Sequence, residues 1–378
     1  MSDVKRIGIA GAGSIAFGTA ALLHQQGHTP MLWSPSGAGT AGLESAPLCV
    51  EGAIKTEFKV GIAQSAKDLA EQNDALIIAL PAYGHKTVMD ALAPHVRNGQ
   101  HIIISSHASL GAVYLTQALA ARNVRAPITA WGTTVITGRK QSDTTVKVNT
   151  VRSLVDLCTV KDDAANVNGL TYCQQLFGDR FQERDGLLAI SLSNLNPQNH
   201  LGIALGNITR MERGEVWSQG QNVTPKVGQL LEQLDLERLA IANALDLKVR
   251  TIFEHFHLSF HVPVASISDM NQAMHAQGNG GIGPATADSR YVTEDVPYGL
   301  QLTAVLGRLV DQPATLHEAG IKIFSAMYGR DFSNENNILN ALELNRFGLN
   351  DLQRAARTGL LQVTPEQGVQ RLNATEST

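Results

Sequence analysis

Short apolar runs alternate with helix-like stretches in the first part of the chain. Val4 to Ala10 is interpreted as a buried strand. Ile15 to Gln26 repeats apolar residues at helical spacing and is followed by Gly27, and Pro30 to Trp33 forms a second strand-like run. Further strand-like runs follow between helical ones, namely FKVGIA, ALIIALPA, HIIISS, APITAWGTT and TVKVNTV. This alternation predicts an α/β domain over residues 1–185, built on one doubly wound, mostly parallel sheet.

The pattern changes after about residue 185, where apolar residues recur at helical spacing. The stretch TPKVGQLLEQLDLERLAIANALDL predicts a long amphipathic helix that Thr224 caps and Pro225 begins. Residues 276–300 form a glycine-rich stretch that is too long for a simple connection and is typical of a functional or disordered loop. We therefore predict a mostly α-helical second domain over 186–362. Residues 363–378 lack apolar periodicity and are predicted to fray.

Composition excludes several classes of partner. Of the 378 residues, 43% are hydrophobic and 17% charged, and the formal net charge is −4 with the basic residues scattered, so we expect no nucleic-acid partner. The start of the chain lacks a long apolar segment and no later run reaches the ~18 apolar residues of a membrane span, so we expect a cytoplasmic protein. Its three cysteines show neither a CxxC spacing nor a dense, even pattern, and we expect reduced thiols.

The first strand-to-helix turn carries a glycine pattern. Gly11 permits the tight turn, Gly13 lets a pyrophosphate approach the backbone, and Ala16 keeps the helix close to the sheet. The helix N-terminus then offers amides and partial positive charge to an anion. A structural turn that binds nothing is the alternative. We predict a Rossmann-type dinucleotide site with contacts from Gly11, Gly13, Ser14, Ile15 and Ala16.

The end of the second strand bears on which dinucleotide is bound. An NAD site usually carries Asp or Glu there, whereas this chain has Ser34 and Ser36 and no carboxylate until Glu44. This favours NADP(H), but the loop also lacks Arg and Lys, so NAD(H) stays open as a cofactor. After the fourth strand, Pro81, Ala82 and Tyr83 are predicted to line the cofactor. His107, after the next strand, is expected to be a partly exposed loop residue or a ligand.

Two polar segments stand out in the helical domain. SLSNLNPQNH ends in His200, which lies four residues after Asn196 and so on the same face of a helix, and RYVTED runs from Arg290 to Asp295. With the N-terminal glycine pattern, these segments resemble the octopine/nopaline (opine) dehydrogenase family. That family carries Ser-Leu-x-Asn-x-Asn closely followed by His, and later Arg-Tyr-x-x-Glu-Asp. The resemblance covers nearly the whole chain, and LWSP at the end of the second strand looks more like the nopaline-type NADPH enzymes.

The resemblance implies an NAD(P)-dependent dehydrogenase that acts on CH–NH bonds. Its substrates would be an amino acid and a 2-oxo acid, condensed and reduced to an N-(carboxyalkyl) amino acid. By the same resemblance, His200 and Asp295 would be the catalytic pair and Arg290 would hold a substrate carboxylate. Further substrate contacts are predicted for Asn194, Asn196 and Tyr291. No metal is expected, and we expect a homodimer only because twofold homo-oligomers are common.

Plainer interpretations of these residues stay open. In these alternatives, His200 is a histidine that packs within a helical core, Asp295 is a helix N-cap, and Arg290 holds the loop against the core. The run EHFHLSFH holds His255, His257 and His261 but is interpreted as structural rather than metal-binding.

Rival functions also remain. A ketopantoate-reductase-like enzyme would reduce a 2-oxo acid without an amine, but that family uses a lysine in its helical domain and the stretch carrying His200 has none. A cofactor-binding sensor without turnover is the second rival.

Overall fold

The computed structural model describes residues 4–161 and 167–362, and the predicted frayed tail, 363–378, lies outside the described residues. The described chain divides into two compact units. One contains the residues up to Ser191 together with those from Ala341 onward, and the other is Leu192–Asn340.

Strands and helices have the following bounds. The strands are β1 Arg6–Ala10, β2 Thr29–Trp33, β3 Leu48–Gly52, β4 Thr56–Phe58, β5 Gly61–Ile62, β6 Ala75–Ile78, β7 His101–Ile104, β8 Ile128–Trp131, β9 Ile136–Lys140, β10 Thr145–Val151, β11 Val155–Val160 and β12 Phe181–Glu183. The α-helices are α1 Ser14–Gln25, α2 Ala66–Gln72, α3 His85–Leu92, α4 Gly111–Ala120, α5 Gly169–Phe177, α6 Gly186–Ser193, α7 Asn196–Glu212, α8 Pro225–Ala244, α9 Ile252–Phe260, α10 Ile267–Ala276, α11 Arg290–Thr293, α12 Gln301–Leu309, α13 Thr315–Tyr328, α14 Asn337–Leu342 and α15 Leu349–Thr358.

The first unit contains the predicted doubly wound sheet, which confirms the fold class. Its eight strands run in the order β12-β11-β8-β7-β6-β1-β2-β5. The neighbours pair in parallel, except that β11 is antiparallel to β8. The central strands are mostly apolar and almost entirely buried, because helices cover both faces of such a sheet. The chain order reverses between β1 and β6, and ligands of open α/β sheets bind beside the carboxyl ends of strands at such a point.

One strand assignment was wrong. TVKVNTV was expected to continue this sheet, but it forms β10 of a separate four-stranded sheet with order β4-β3-β10-β9. Helix α1 covers this small sheet, and Gly18 lies so close to it that a Cβ there would be 2.7 Å from Ile136. The run FKVGIA is likewise divided, because Phe58 ends β4 while only Gly61–Ile62 joins the large sheet.

The C-terminal helix also differs from expectation. The helical domain was predicted to extend to residue 362, whereas residues 341–362 belong to the first unit. Helix α15 contacts β11 and α4, and Arg357 forms an ion pair with Asp185 at 2.8 Å. An amphipathic pattern predicts that one helix face is buried but does not specify which core buries it.

The second unit is helical in its described residues, as predicted. Helix α8 begins at Pro225, and Thr224 occupies the N-cap position, although within the described structure its side chain makes no capping hydrogen bond. Small residues let α7 approach its neighbours closely: a Cβ on Gly206 would lie 2.6 Å from Val227 of α8. Among the described helices, none combines the length and apolar character that crossing a membrane requires.

Candidate active site

The turn between β1 and α1 requires the glycine that the sequence places there. Gly11 has φ +141°, and a Cβ on it would overlap the carbonyl oxygen of Ala79, which follows β6. Gly13 is exposed at the N-cap position of α1, and a Cβ there would meet no atom within 4 Å. The turn is therefore tight on the side of the sheet and open in front of the helix.

The N-terminus of α1 is suited to an anion. Its first turn carries no acidic residue, and among the described residues no side chain caps it, so its amides and the partial charge of the helix remain available. The Ser14 hydroxyl accepts a hydrogen bond from the Lys140 amide at 2.9 Å. These features fit the pyrophosphate of a dinucleotide. No local sequence signal marks the Lys140 amide, because a strand of the small sheet brings it to α1.

The loop after β2 folds back onto the glycine turn. A Cβ on Gly39 would lie 2.6 Å from that of Ala12 and 3.2 Å from the Ser34 hydroxyl, and Ser34 and Ser36 place their hydroxyls 3.4 Å apart. Beyond β6, Pro81 is partly buried, Ala82 is buried and Tyr83 is 54% exposed. The serines after β2 and the glycine turn after β1 therefore lie close together, as a dinucleotide site requires.

Two histidines at this edge of the sheet are buried. His107 is 4% exposed and accepts a hydrogen bond from the Ala112 amide at 3.2 Å, so the expectation of a partly exposed loop residue was wrong. His85 begins α3 and bonds the Leu80 carbonyl at 2.9 Å. Burial lowers the pKa of His107 to about 3 and that of His85 to about 4, which keeps both rings neutral at neutral pH.

In the second unit, a histidine and an aspartate from distant parts of the chain meet. Nδ1 of His200 lies 2.7 Å from Oδ2 of Asp295, and each side chain is 18% exposed. Because a carboxylate oxygen only accepts, Nδ1–H is the donor, and Nε2 is left as the nitrogen that can exchange a proton. This is the arrangement in which a carboxylate orients an imidazole for acid–base chemistry.

Local packing explains why these two side chains meet. His200 lies in the first turns of α7, and Asp295 directly precedes a π-helical turn, Val296–Leu300. A Cβ on Gly299 of that turn would overlap Pro197 of α7, so the absence of a side chain lets the two segments touch. Asp295 occupies the N-cap position of the turn, but its carboxylate bonds His200 and does not cap it.

The remaining predicted site residues surround this pair. The Tyr291 ring stacks on the His200 ring with a centroid distance of 3.6 Å and an interplanar angle of 9°. Arg290 is 67% exposed and places Nε 2.5 Å from Oε2 of Glu294. Asn194 accepts from the backbone amide of Asn196 at 3.1 Å, at the start of α7, and Asn196 is exposed.

The histidine-rich run lies elsewhere in this unit. His257 bonds the Val262 carbonyl at 2.8 Å. Over residues 4–161 and 167–362, no three His, Cys, Asp or Glu side chains are grouped as a metal site would require.

Two family models match parts of the chain. Residues 183–328 match the model described as NAD/NADP octopine/nopaline dehydrogenase, alpha-helical domain. Residues 7–155 match the model described as Ketopantoate reductase PanE/ApbA. The opine dehydrogenase of Arthrobacter sp. (strain 1C) is 28% identical over 360 residues, covering 91% of this chain and 96% of that protein.

Solved structures share the fold. An octopine dehydrogenase in complex with NADH and agmatine aligns with a TM-score of 0.79 at 17% identity, covering 95% of this chain and 99% of that one. An NADP⁺-bound yersinopine dehydrogenase aligns with a TM-score of 0.69 at 15% identity, covering 90% and 99%. The helical part therefore matches the domain of one family, and a curated relative spans nearly the whole length. Residues 183–328 thus match the helical domain of NAD/NADP octopine/nopaline dehydrogenases, and over nearly its whole length the chain is similar to an opine dehydrogenase.

Proposed function

We propose that this protein catalyses the NAD(P)H-dependent reductive condensation of an amino acid with a 2-oxo acid, and the reverse reaction. The product is an N-(carboxyalkyl) amino acid, because the amine condenses with the oxo carbon to a C=N bond with loss of water, and hydride and a proton then reduce that bond to C–N. The single observation that carries the proposal is the 2.7 Å hydrogen bond between His200 and Asp295 within the segments that resemble the family. Similarity to opine dehydrogenases supports the reaction class.

Residues of the chain have the following proposed roles. The amine attacks the oxo carbon with loss of water, and His200 Nε2 exchanges the proton that this step and the reduction of the imine require. Asp295 holds the imidazole in one tautomer and one orientation. Arg290, with its planar guanidinium largely exposed, would bind a substrate carboxylate. Asn194 and Asn196, at the start of α7, are proposed to position the substrate.

The cofactor would be held by the glycine turn. The amides at the start of α1, from Ser14 to Ala16, would bind its pyrophosphate, and Gly13 would allow close approach. A reduced nicotinamide supplies the hydride when bound. Pro81, Ala82 and Tyr83 are proposed to line its site beyond β6.

A ketopantoate-reductase-like activity is the second candidate, because residues 7–155 match that family model. The two functions differ in whether an amine is consumed. Oxidation of NADPH with pyruvate or 2-oxoglutarate alone would favour the second candidate. Oxidation that requires one of the twenty amino acids as a second substrate is what we expect.

Replacing His200 with alanine is expected to lower kcat by at least about 100-fold, because a general acid is lost. The measurement is NADPH oxidation with the best pair from the amino-acid and 2-oxo-acid screen. NADPH affinity, measured by fluorescence titration, should stay within about twofold, because His200 belongs to the other compact unit.

A matched control is His261→Asn. His261 is an exposed histidine of the same unit with φ 55°, a backbone conformation that asparagine tolerates. This variant should retain wild-type kcat. Wild-type turnover in His200→Ala would refute the proposed role of His200.

NADPH is expected to give a higher kcat/KM than NADH. The serines at the end of β2 do not repel a 2′-phosphate as a carboxylate would. Of the solved structures that share the fold, the octopine dehydrogenase was solved with NADH and the yersinopine dehydrogenase with NADP⁺.

A higher kcat/KM for NADH in the wild type would contradict the preference.

A further inference from the structure

The face of the His200 imidazole is covered by one side chain. The Tyr291 ring lies 3.6 Å from it, almost parallel, and Tyr291 is itself only partly exposed. Asp295 fixes the ring at Nδ1, in the ring plane, and Tyr291 limits its tilt out of that plane. Together the two contacts restrict the direction in which Nε2 points.

Tyr291 is in turn held by a residue far away in the sequence. Its hydroxyl donates to Oε1 of Gln219 at 2.5 Å, across 72 positions of the chain. Burial, with a contribution from the Asp295 carboxylate, raises the pKa of Tyr291 to about 12, so the hydroxyl keeps the proton that it donates. The phenol ring is therefore fixed at both ends, by α11 and by Gln219.

Gln219 lies in a segment that is bound tightly to the glycine-rich loop. Its amide donates to the Gly281 carbonyl at 3.1 Å, and the next amide, of Gly220, donates to Gly280 at 2.7 Å. The indole of Trp217 donates to the Pro284 carbonyl at 3.0 Å, and any side chain at Gly283 would overlap that indole. The loop thus fixes the segment that carries Gln219.

We propose that Tyr291 and Gln219 are positioning residues for His200, with the glycine-rich loop as their support. The inference rests on the proposed function, since it assumes that the orientation of His200 matters for proton transfer. It differs from the substrate contact that the sequence predicts for Tyr291. A positioning residue acts on kcat, because a misdirected Nε2 slows proton transfer, whereas the loss of a substrate contact would first raise KM.

The kinetic test uses the full-length protein. Tyr291→Phe and Gln219→Ala each remove the same hydrogen bond and should each lower kcat roughly threefold to tenfold at little-changed KM. Because the two changes remove the same hydrogen bond, the kcat of the double variant should be no lower than that of either single variant. Tyr291→Leu, which also removes the stacked ring, should lower kcat by about 100-fold.

The matched control is Tyr328→Phe. It also removes a phenol hydroxyl bonded to the glycine-rich loop, at the Ala287 carbonyl, but its ring packs on Phe324 and Phe332. The kcat of Tyr328→Phe should stay within about twofold of wild type, because the ring that stacks on His200 is that of Tyr291 and not that of Tyr328.

A second readout does not depend on turnover. In protein labelled with ¹³C at histidine Cε1, the His200 signal, assigned by its loss in His200→Gln, should show the ring-current shift of a stacked imidazole. Tyr291→Leu should abolish that shift, and Tyr291→Phe should retain most of it.

The outcomes separate the two claims. If His200→Ala keeps wild-type turnover, the proposed function fails. If His200→Ala is inactive but Tyr291→Leu and Gln219→Ala leave kcat unchanged, the inference alone fails. A raised KM with unchanged kcat in Tyr291→Phe would overturn the positioning role in favour of substrate binding. Additive losses in the double variant would show that the two side chains do not act through one hydrogen bond.

Discussion

Replacing Asp235 with alanine is expected to lower the free energy of unfolding by about 3–5 kcal/mol, because it leaves a buried guanidinium without its carboxylate. The side chains of Asp235 and Arg238, both in α8, are 2% and 1% exposed, and Arg238 Nη2 lies 2.7 Å from Asp235 Oδ1. Arg238 also donates to the carbonyls of Leu192 and Arg250, and Asp235 accepts from the Ile252 amide at 2.9 Å. The pair thus joins α8 to the end of α6 and to the start of α9.

Urea unfolding followed by circular dichroism and tryptophan fluorescence measures this loss. The control is Glu215→Ala, which breaks the half-exposed ion pair with Arg210 and should cost at most about 1 kcal/mol. A double change to Asp235→Leu and Arg238→Met should remain destabilised, because the backbone groups that the pair satisfies lose their partners. A loss below about 1 kcal/mol in Asp235→Ala would show that the ion pair is not a major source of stability.

Acidification from pH 6.5 towards pH 4.5 should destabilise the protein steeply, by up to about 4 kcal/mol per pH unit near pH 5. Burial lowers the folded-state pKa of His85 and His101 to about 4 and that of His107 to about 3, each below the ordinary value of 6.5. At pH 5 the unfolded chain therefore binds roughly three more protons at these sites than the folded one. The stability that their neutral forms provide is complete above pH 6.5 and is lost as the pH falls through the folded values.

The measurement is the free energy of unfolding in urea at several pH values between 7 and 4.5. His107→Gln should reduce the slope by about one third, because one of the three titrating groups is gone. Carboxylates of the unfolded chain begin to titrate at the lower end of this range, so the contribution of His107 is obtained from the difference between the wild type and His107→Gln. Unfolding free energies that stay equal between pH 6.5 and 5 would contradict the prediction.

Much of the large sheet could be predicted from the sequence. The β1–α1–β2 unit follows from patterns that repeat within thirty or so residues, and the continuous apolar runs at β6 and β7 are what a doubly covered parallel sheet requires. The small sheet could not be predicted. Its pairing of β3 with β10 joins residues such as Val50 and Val146, and an apolar run does not encode which distant strand it pairs with.

The candidate site was predictable to a similar extent. The glycine turn and the residues His200 and Asp295 came from short motifs and the family resemblance, and their catalytic role stays a prediction. Gln219 carried no motif, because a hydrogen bond to a side chain 72 positions away leaves no local signal. The burial of His107 was missed for a related reason, since exposure depends on the helices that cover a strand end.

The sequence by itself determined which segments become strands and helices, where the first turn needs glycine, and which family the chain resembles. These features depend on local conformation and on periodicity, which neighbouring residues set. Only the tertiary structure decided that Asp295 meets His200, that Tyr291 covers the ring, and that Gln219 holds the phenol. Contacts of this kind depend on how closely distant segments approach. Here the contact of Gly299 with Pro197 determines how closely the two segments approach. The fit between the volumes of two such distant residues cannot be inferred from the hydrophobic pattern of a single sequence.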